Sequence, residues 1–279
     1  MQKIVHIITS INRGGAENQM VNFINNYKNS EHFIITLLNS NELKKDLIDD
    51  KININSLNLN YNLVNKIFFP IKLFRIIKKI NPNYIFCWMY ISSFISFYFK
   101  FFSNSYIFWL IRHGSPFYPF VSRKNVFINY LLAFTSSFLP KKIIYCSEYS
   151  LKQHLKFGYT KKKSFIIHNG YEIDKFYIDK KIKFNFKKEK SIEDDCFLIG
   201  YLARYHKIKN HDLLFRSLNF LSKKYPNFRF KLLLAGRGLN YNNIKLIKSL
   251  KENMIEEHCF LLDKISESAN FFNKIDLHV

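Results

Sequence analysis

The chain has 279 residues, 48% of them hydrophobic and 18% aromatic, which is enough for one large or two ordinary domains with sizeable cores. Its formal net charge of +22 favours anionic partners such as phosphorylated ligands, nucleic acid or an anionic membrane surface, although an AT-rich genome would also enrich lysine. The four cysteines are far apart and lack metal-ligand spacing, so we expect buried free thiols rather than a disulfide framework or a zinc site.

Short apolar runs alternate with helical stretches through the first part of the chain. Strands are predicted at residues 3–9, 32–38, 84–88, 106–111, 142–146 and 164–167, and helices at 16–27, 71–80, 91–102, 126–138 and 148–157. The apolar stretch 84–111 is long enough to cross a bilayer, but Lys100 and the polar residues 103–105 favour a strand, a helix and a second strand instead. The alternation predicts a parallel sheet with helices on both faces.

A polar, charge-dense segment interrupts this pattern after Asn169-Gly170 and extends to residue 195. The pattern resumes with strands at 197–202, 230–235, 259–262 and from 277 onward, and with helices at 212–224, 244–252 and 266–273. We therefore predict a first domain at 1–168, a hinge and linker at 169–195, and a second domain at 196–279. The last residues are typical of a helix end followed by the opening of a buried strand, so we expect the second domain to be incomplete.

Two motifs follow strands of the first domain. Gly14 and Gly15 lie between a strand and a helix, where backbone N–H groups can approach an anion, although a tight turn that needs glycine explains them equally well. His113 follows the strand 106–111, at the sheet edge where ligands bind in open α/β folds. A histidine there can orient a hydroxyl or contact a phosphate, and a capping or packed histidine is an equal alternative.

Two further motifs follow strands of the second domain. Arg204 and Lys209 lie five residues apart before a helix, and they predict a diphosphate site because arginine binds two oxygens at once and lysine adds a point charge. A solvated basic loop is the alternative. Gly236 and Gly238 form another turn suited to an anion. The sequence has neither G-x-G-x-x-G nor a Walker A lysine, so it indicates neither NAD nor a P-loop nucleotide.

Taken in order, the motifs resemble those of the family 4 retaining glycosyltransferases, the "glycosyl transferase group 1" enzymes of bacterial surface-polysaccharide assembly. The resemblance covers essentially the whole chain, and its specificity lies in the order of the motifs. They are Gly14-Gly15-Ala16-Glu17, Trp88-Met89-Tyr90, Arg112-His113, Ser147-Glu148, His168 to Phe176, Ile199 to Arg204 with Lys209-Asn210-His211, and Leu234 to Gly238.

This resemblance implies the GT-B fold, with two Rossmann-like, doubly wound parallel-sheet domains facing a cleft. It implies a nucleotide-diphosphate sugar as donor, no metal or other cofactor, and retention of anomeric configuration. Arg204 and Lys209 would bind the diphosphate and neutralise the leaving group, and His113 would contact the transferring sugar. The glycine turns at Gly14-Gly15 and Gly236–Gly238 would bind the donor. Asn169 and Gly170 would serve domain closure.

The resemblance also marks where the sequence departs from the family pattern. In the family, a strand like the one that begins near Ile275 leads to a Ser-rich loop and an E-x7-E helix, whose glutamates hold the donor sugar and the ribose. The sequence ends before these elements, so we expect the chain to be a shortened form of the enzyme. Such a form should recognise a diphosphate better than it transfers a sugar.

A basic amphipathic segment, Ile71 to Ile80, lies in the same half of the chain as Lys141-Lys142 and Lys161-Lys162-Lys163. Because family acceptors are commonly lipid-linked, we expect a lipid-linked glycan acceptor and peripheral docking on the anionic inner face of the cytoplasmic membrane. A helix packed on the sheet with a solvated face is the alternative. Three other functions fit less well: a non-catalytic sugar-nucleotide-binding protein, a sugar-nucleotide epimerase, and a nucleic-acid-binding protein, whose exposed aromatic residues are not expected here.

Overall fold

The chain divides into two compact units, Met1–Tyr171 and Glu172–Val279. The computed structural model describes residues 1–12, 14–39, 42–49, 52–59 and 63–279, and only the backbone of residues 63, 64 and 66. The division between the units falls inside the segment 169–195 that the sequence indicates as hinge and linker. Each unit is built around its own parallel sheet.

The first unit holds a seven-stranded parallel sheet covered by six helices in the described part of the chain. The strands are β1 (Gln2–Ile8), β2 (Ser30–Thr36), β3 (Asn53–Ser56), β4 (Tyr84–Trp88), β5 (Tyr106–Ile111), β6 (Lys142–Tyr145) and β7 (Ser164–Ile166). The helices are α1 (Gly15–Asn26), α2 (Leu63–Ile80), α3 (Met89–Ile95), α4 (Phe97–Lys100), α5 (Arg123–Thr135) and α6 (Glu148–Phe157). The strand order is β3-β2-β1-β4-β5-β6-β7, so the order reverses direction beside β1.

Alternate strand residues point to opposite faces of this sheet, and helices cover both. Val5 and Ile7 of β1 share one core with residues of α2, α3 and α5, whereas Ile8 packs with α1 on the other face. The apolar stretch 84–111 forms β4, α3, α4 and β5, so the predicted strand–helix–strand order is confirmed, but the single helix predicted at 91–102 is two helices. Among the helices described, none is long and apolar enough to cross a bilayer.

The second unit repeats this arrangement on a smaller scale. Its helices are α7 (Lys180–Glu189), α8 (His211–Lys224), α9 (Ile244–Glu252) and α10 (Ser268–Phe272), and its strands are β8 (Phe197–Leu202), β9 (Phe230–Ala235), β10 (Cys259–Asp263) and β11 (Leu277–His278). The sheet order is β10-β9-β8-β11, which reverses beside β8. Helices α8 and α9 pack on one face, and α7 and α10 pack on the other.

Helix α7 lies in the segment that the sequence indicates as a linker. Phe186 of this helix is buried in the core of the second unit. The Lys187 ammonium is buried as well, and it donates to the carbonyl oxygens of Asp194 and Cys196, each at 2.7 Å. A buried charge is tolerated only with such partners. Residues 180–189 are therefore a packed helix of the second unit. Only Phe186 and Lys187 of this helix are buried, and so few buried positions are hard to recognise in a charge-dense sequence.

The strand predicted from Leu277 onward is present, but it is not buried. Leu277 and Val279 are 48% and 50% exposed, because β11 pairs only with β8 and lies at the edge of the sheet. The Asp276 carboxylate attaches this edge to the sheet by accepting the Leu198 N–H at 2.8 Å and pairing with Lys183. The expectation of a buried strand is thus wrong, while the strand itself is confirmed.

All four cysteines are free thiols. Cys87, Cys196 and Cys259 are buried and Cys146 is half-buried, which largely confirms the expectation from their apolar surroundings. Burial raises the pKa of Cys259 to about 12 and raises the pKa of Cys87 further still. These thiols stay protonated and unreactive at neutral pH.

A chain of hydrogen bonds crosses the sheet of the first unit through two buried histidines. The Trp88 indole N–H donates to His6 Nδ1 at 3.2 Å, so the neutral His6 ring carries its proton on Nε2. That proton is donated to His32 Nδ1 at 3.0 Å, and His32 Nε2 donates to the Tyr27 carbonyl at 2.7 Å. The chain has one direction, which requires both imidazoles to be neutral.

We expect the free energy of unfolding to fall when the pH drops from 8 to 5.5. Burial, and secondarily His32, hold the pKa of His6 well below its ordinary value. The unfolded chain therefore takes up a proton below about pH 6.5 that the folded chain excludes, which costs roughly 1.4 kcal/mol per pH unit below that value. Urea unfolding followed by circular dichroism at both pH values measures this loss.

Two variants isolate the contribution of His6. His6→Gln should lose less stability between pH 8 and pH 5.5 than the unsubstituted protein, because its side chain does not titrate. His168→Gln changes an exposed histidine and should lose as much as the unsubstituted protein. Equal losses in all three proteins would contradict a neutral, buried His6.

Candidate functional site

The glycine turn after β1 leads directly into α1. Gly14 is the N-cap of α1, with extended φ and ψ of −165° and 164°, and Gly15 is the first helical residue. A Cβ on Gly15 would meet nothing within 4 Å, so neither packing nor backbone conformation requires glycine there. First-turn N–H groups of a helix can approach an anion, and here the side-chain carboxylate of Glu17 already lies against Gly14. Arg13, in the same motif, lies outside the described residues.

His113 lies just beyond the carboxyl end of β5. Its half-buried ring stacks on the ring of Tyr90, with centroids 5.1 Å apart and planes 14° apart. Its carbonyl accepts the Ser150 hydroxyl at 2.6 Å. His113 is thus a packed histidine whose ring lies at the carboxyl edge of the sheet. Packing and contact with a ligand, the two alternatives that the sequence left open, are therefore compatible.

Arg112 has a mainly structural position. Its Nη1 donates to the Ile167 carbonyl at 2.8 Å, and its guanidinium lies 5.7 Å from the Trp88 ring. Desolvation lowers the pKa of this guanidinium, but arginine remains charged at any ordinary pH. Arg112 therefore ties the end of β5 to the segment that follows β7.

That segment, Asn169-Gly170, is anchored to α1. The Gln19 side chain donates to the Gly170 carbonyl and accepts the Gly170 N–H, both at 2.8 Å. His168 donates from Nδ1 to the Cys146 carbonyl at 3.1 Å. The sequence does not single out Gln19, since no local pattern connects two residues 151 positions apart.

Arg204 and Lys209 are both exposed in the turn between β8 and α8. A hydrogen bond from β8 restrains the backbone of this turn, because the Tyr201 hydroxyl donates to the Lys209 carbonyl at 2.5 Å. Asn210 caps α8 in the left-handed region, with φ of 50°, and makes no side-chain cap bond. The two cations thus lie on a fixed turn immediately before a helix start.

The turn after β9 packs directly against the turn after β8. Gly236 has φ of +141°, and a Cβ there would lie 2.2 Å from the Ala203 carbonyl oxygen. Gly238 also has positive φ, +82°, and the Tyr205 N–H donates to the Arg237 carbonyl at 2.9 Å. The structure therefore brings Gly236 and Gly238 beside Arg204 at one edge of the second unit.

A residue of the Lys209-Asn210-His211 motif for which the sequence indicates no role lies beneath this edge. His211, the first residue of α8, is 3% exposed, and neither ring nitrogen has a hydrogen-bond partner. The rings of Tyr201 and Tyr205 lie 4.9 and 5.1 Å away. Desolvation lowers the pKa of His211 to about 4, so the imidazole is neutral and adds no charge to the cations above it.

In the first unit, the amino edge of the sheet, opposite to the carboxyl edge near His113, contains a cavity of about 550 Å³. It lies near the amino ends of β1, β2 and β3. Its lining includes Met1, Ser30 and Asn53, and it holds none of the candidate residues. In the described part of the chain, no group of three or more His, Cys, Asp or Glu side chains could hold a metal ion. Metal independence of the reaction stays a prediction.

We expect Gly236→Ala and Gly15→Ala to separate a structural glycine from a free one. Gly236→Ala forces a methyl group against the Ala203 carbonyl at a strained φ, and it should destabilise the second unit by about 2 kcal/mol or more. Gly15→Ala should leave stability unchanged or raise it by up to about 1 kcal/mol. Thermal unfolding measures both, and equal melting temperatures would contradict the close approach at Gly236.

Comparison with known proteins connects this geometry to a family. Residues 13–175, more than half of the chain, match the family model described as Glycosyltransferase Family 4. The capsular polysaccharide biosynthesis glycosyltransferase CapH of Staphylococcus aureus is 24% identical over 267 residues, which cover 88% of this chain and 70% of CapH. The O-antigen biosynthesis glycosyltransferase WclY of Escherichia coli is 30% identical over 115 residues, 41% of this chain. That match spans only 30% of WclY.

A solved structure gives the same fold. Anabaena HepE in complex with UDP-glucose superimposes with a TM-score of 0.83 at 14% identity, over 100% of this chain and 73% of HepE. At this identity the likeness concerns the fold alone, and it confirms the expected GT-B class with two Rossmann-like parallel sheets. Together with the family match, it establishes that the chain belongs to Glycosyltransferase Family 4.

Proposed function

We propose that the protein is a glycosyltransferase that takes its sugar from a nucleotide-diphosphate donor, and that Arg204 and Lys209 bind the diphosphate. The carboxyl edge of the second sheet carries this proposal. Two exposed cations precede a helix start there, on a turn that is hydrogen-bonded to Tyr201 and packs closely against Gly236. Cations and helix N–H groups together suit a diphosphate. The fold shared with HepE, which is in complex with UDP-glucose, supports a UDP-sugar as donor.

In the proposed reaction, an acceptor hydroxyl oxygen bonds to the anomeric carbon of the sugar as the bond from that carbon to the diphosphate oxygen breaks. The departing diphosphate gains negative charge, which Arg204 and Lys209 neutralise, and it takes up the proton of the acceptor hydroxyl. Attack on the face from which the diphosphate leaves retains the anomeric configuration. The reaction proposed is therefore a retaining transfer that needs no metal.

In the first unit, the proposed roles are contact with the sugar, binding of the donor and domain closure. His113 contacts the transferring sugar from the carboxyl end of β5. Gly14 and Gly15 offer the N–H groups of the first turn of α1 to an anionic or polar group of the donor. Asn169 and Gly170 serve domain closure, and the Gln19 bonds give Gly170 a fixed position within the first unit.

The proposed acceptor is a lipid-linked glycan in the synthesis of a bacterial surface polysaccharide. WclY and CapH carry names from O-antigen and capsular polysaccharide biosynthesis, which supports this class of product. To test for transfer, the protein is incubated with UDP-glucose and with lipid-linked glycans extracted from bacteria. Labelled lipid-linked product supports transfer, whereas conversion of the UDP-sugar without an acceptor would favour an epimerase.

We expect UDP to bind, and Arg204→Gln and Lys209→Gln to weaken its binding. A hydrogen bond to a charged group contributes about 1.5–3 kcal/mol, so each variant should lose roughly tenfold to hundredfold in affinity. Titration calorimetry measures the dissociation constants, with GDP and ADP run beside UDP because the base is not specified by these two residues.

Lys207→Gln and Arg216→Gln are the matched controls for this measurement. Lys207 is exposed in the same turn, and Arg216 is exposed on α8. Both should bind UDP nearly as well as the unsubstituted protein. A loss at Lys207 equal to that at Lys209 would show that the turn acts only through its general charge, and no binding of any of the three nucleotides would contradict the proposed donor site.

The first unit also carries a surface suited to an anionic membrane, and we propose that it docks there, on the inner face of the cytoplasmic membrane. Leu73, Ile77 and Ile80 of α2 are buried against the sheet, so the predicted packing of this helix is present. Its outward side, together with those of α4 and α5, exposes large apolar side chains. These exposed side chains, here called the aromatic face although Ile71 is aliphatic, are Phe68, Ile71, Phe74, Phe97, Phe101, Phe102, Phe127, Tyr130, Phe134 and Phe138. Ring contacts join Phe74 to Phe102 and Phe134 to Phe138.

The aromatic face is accompanied by a group of lysines. Lys100 is the last residue of α4, Lys141 precedes β6, and Lys142 is the first residue of β6. Desolvation, together with the charges of Lys100, Lys141 and Lys142, lowers the pKa of Lys163, so these three ammonium groups act on that of Lys163. Exposed aromatic side chains beside clustered cations match the interface of an anionic bilayer, in which rings insert and lysines contact lipid phosphates.

We expect the protein to sediment with vesicles that contain phosphatidylglycerol and to bind neutral phosphatidylcholine vesicles less. Replacing Lys141 and Lys142 by glutamine should weaken binding to the anionic vesicles by about thirtyfold, at roughly 1 kcal/mol per basic residue. Phe101→Ser with Phe134→Ser should weaken binding to both kinds of vesicle.

The second unit supplies matched controls for the vesicle experiment. Phe220→Ser removes an equally exposed ring from α8, and Lys223→Gln with Lys224→Gln removes two charges from the end of that helix. Both controls should bind vesicles as the unsubstituted protein does. Equal binding to neutral and anionic vesicles would contradict the proposed docking.

A further inference from the structure

We propose that Tyr90 and His154 are positioning residues that fix the His113 ring at the carboxyl edge of the first sheet. The inference rests on the proposed role of His113 in contacting the sugar. Four residues form a closed circuit: the His113 ring contacts Tyr90, Tyr90 bonds to His154, His154 bonds to Ser150, and Ser150 bonds back to His113.

The first contact of the circuit orients the imidazole plane. Tyr90 is the second residue of α3 and is 2% exposed, so its ring is a fixed surface rather than a mobile side chain. The His113 ring lies nearly parallel to it, at 14° and 5.1 Å between centroids. Offset stacking of this kind restricts tilting of the smaller ring. Tyr90 thereby determines the plane in which the two ring nitrogens of His113 lie.

The next two contacts hold Tyr90 itself. His154 Nδ1 lies 2.7 Å from the Ser150 carbonyl oxygen, so this nitrogen carries the proton and donates it. Nε2 is then an acceptor, and the Tyr90 hydroxyl donates to it at 2.8 Å. Burial supports this assignment, since desolvation lowers the pKa of His154 to about 4 and raises the pKa of Tyr90. Both groups are neutral across the physiological range.

The last contact closes the circuit on the backbone. The Ser150 hydroxyl donates to the His113 carbonyl at 2.6 Å, and Ser150 lies in the first turn of α6, which is capped by Ser147. Helix α6 therefore restrains the His113 backbone through Ser150, and its ring through His154 and Tyr90. A displacement of about 1 Å at a reacting group costs up to roughly a hundredfold in rate, so these restraints matter for transfer.

Three substitutions and one control test the circuit. Tyr90→Leu removes the stacking surface, Tyr90→Phe keeps the ring but loses the bond to His154, and His154→Gln alters the support beneath Tyr90. Tyr159→Phe is the control, because it breaks a buried bond to Asn129 and its ring lies 5.1 Å from His154, without belonging to the circuit. Sugar transfer to lipid-extracted glycans gives kcat and the donor KM, and proton NMR gives the His113 Hε1 shift.

Tyr90→Leu should lower kcat by roughly tenfold to a hundredfold while the donor KM changes less than about twofold. It should also move the His113 Hε1 resonance downfield, because the ring current of Tyr90 is lost. Tyr90→Phe should keep the shift but lose part of kcat, because the bond to His154 is gone. His154→Gln should lose a similar part, because it alters the same bond. Tyr159→Phe should lower the melting temperature without changing kcat or the resonance.

The outcomes separate the inference from the role on which it depends. If His113→Ala impairs transfer while Tyr90→Leu leaves kcat and the Hε1 shift unchanged, the circuit does not position His113 and the inference is overturned. If His113→Ala leaves kcat unchanged, the proposed role of His113 is lost and the inference with it. If kcat falls as much in Tyr159→Phe as in Tyr90→Leu, the loss reflects a general effect of core stability. That result would also overturn the inference that Tyr90 positions His113.

Discussion

Both sheets reverse their strand order beside their first strand, and the candidate site residues depend on that reversal. In the first unit the order passes from β2 to β4 across β1, and in the second it passes from β9 to β11 across β8. The loops that leave the carboxyl ends of such neighbouring strands diverge and leave backbone N–H groups accessible. Gly14 and Gly15 follow β1, and Arg204 follows β8, so each unit presents residues of the proposed anion-binding turns at its own point of reversal.

The interior around these edges is arranged to keep titratable groups neutral and to leave cations outside. His6, His154 and His211 are buried, and their lowered pKa values leave them uncharged at neutral pH. Arg204 and Lys209 are exposed above His211. A charged imidazole beneath them would repel the two cations themselves. A neutral His211 therefore avoids adding a buried like charge below this turn.

The sequence predicts the sheet closely and the side-chain networks hardly at all. Strands β4, β5, β8 and β9 begin and end where predicted, because each is a run of buried apolar residues bounded by polar turns. Strand β3 was not predicted because its residues, Asn53–Ser56, are mostly polar at a sheet edge. Helix α7 was mistaken for a linker since its lysines outnumber its buried positions.

The candidate site shows the same division. The glycine turns and the basic turn after β8 are local patterns, so their positions at the carboxyl edges follow from the alternation of strands and helices. The bond from Gln19 to Gly170 and the circuit of Tyr90, His154 and Ser150 join residues far apart in the chain, and no periodicity encodes them. The steric need for glycine at 236 likewise comes from a neighbouring turn and not from its own strand.

The proposed function depends on binding of a nucleoside diphosphate at the edge of the second unit formed by the turns after β8 and β9. Hydrogen exchange of the backbone amides, measured by mass spectrometry with and without saturating UDP, detects this binding. Exchange should be slower in residues 203–211 and 236–239 when UDP is present, since their N–H groups become shielded or fixed. Unchanged exchange in both turns, with protection elsewhere in the chain, would contradict binding at this edge.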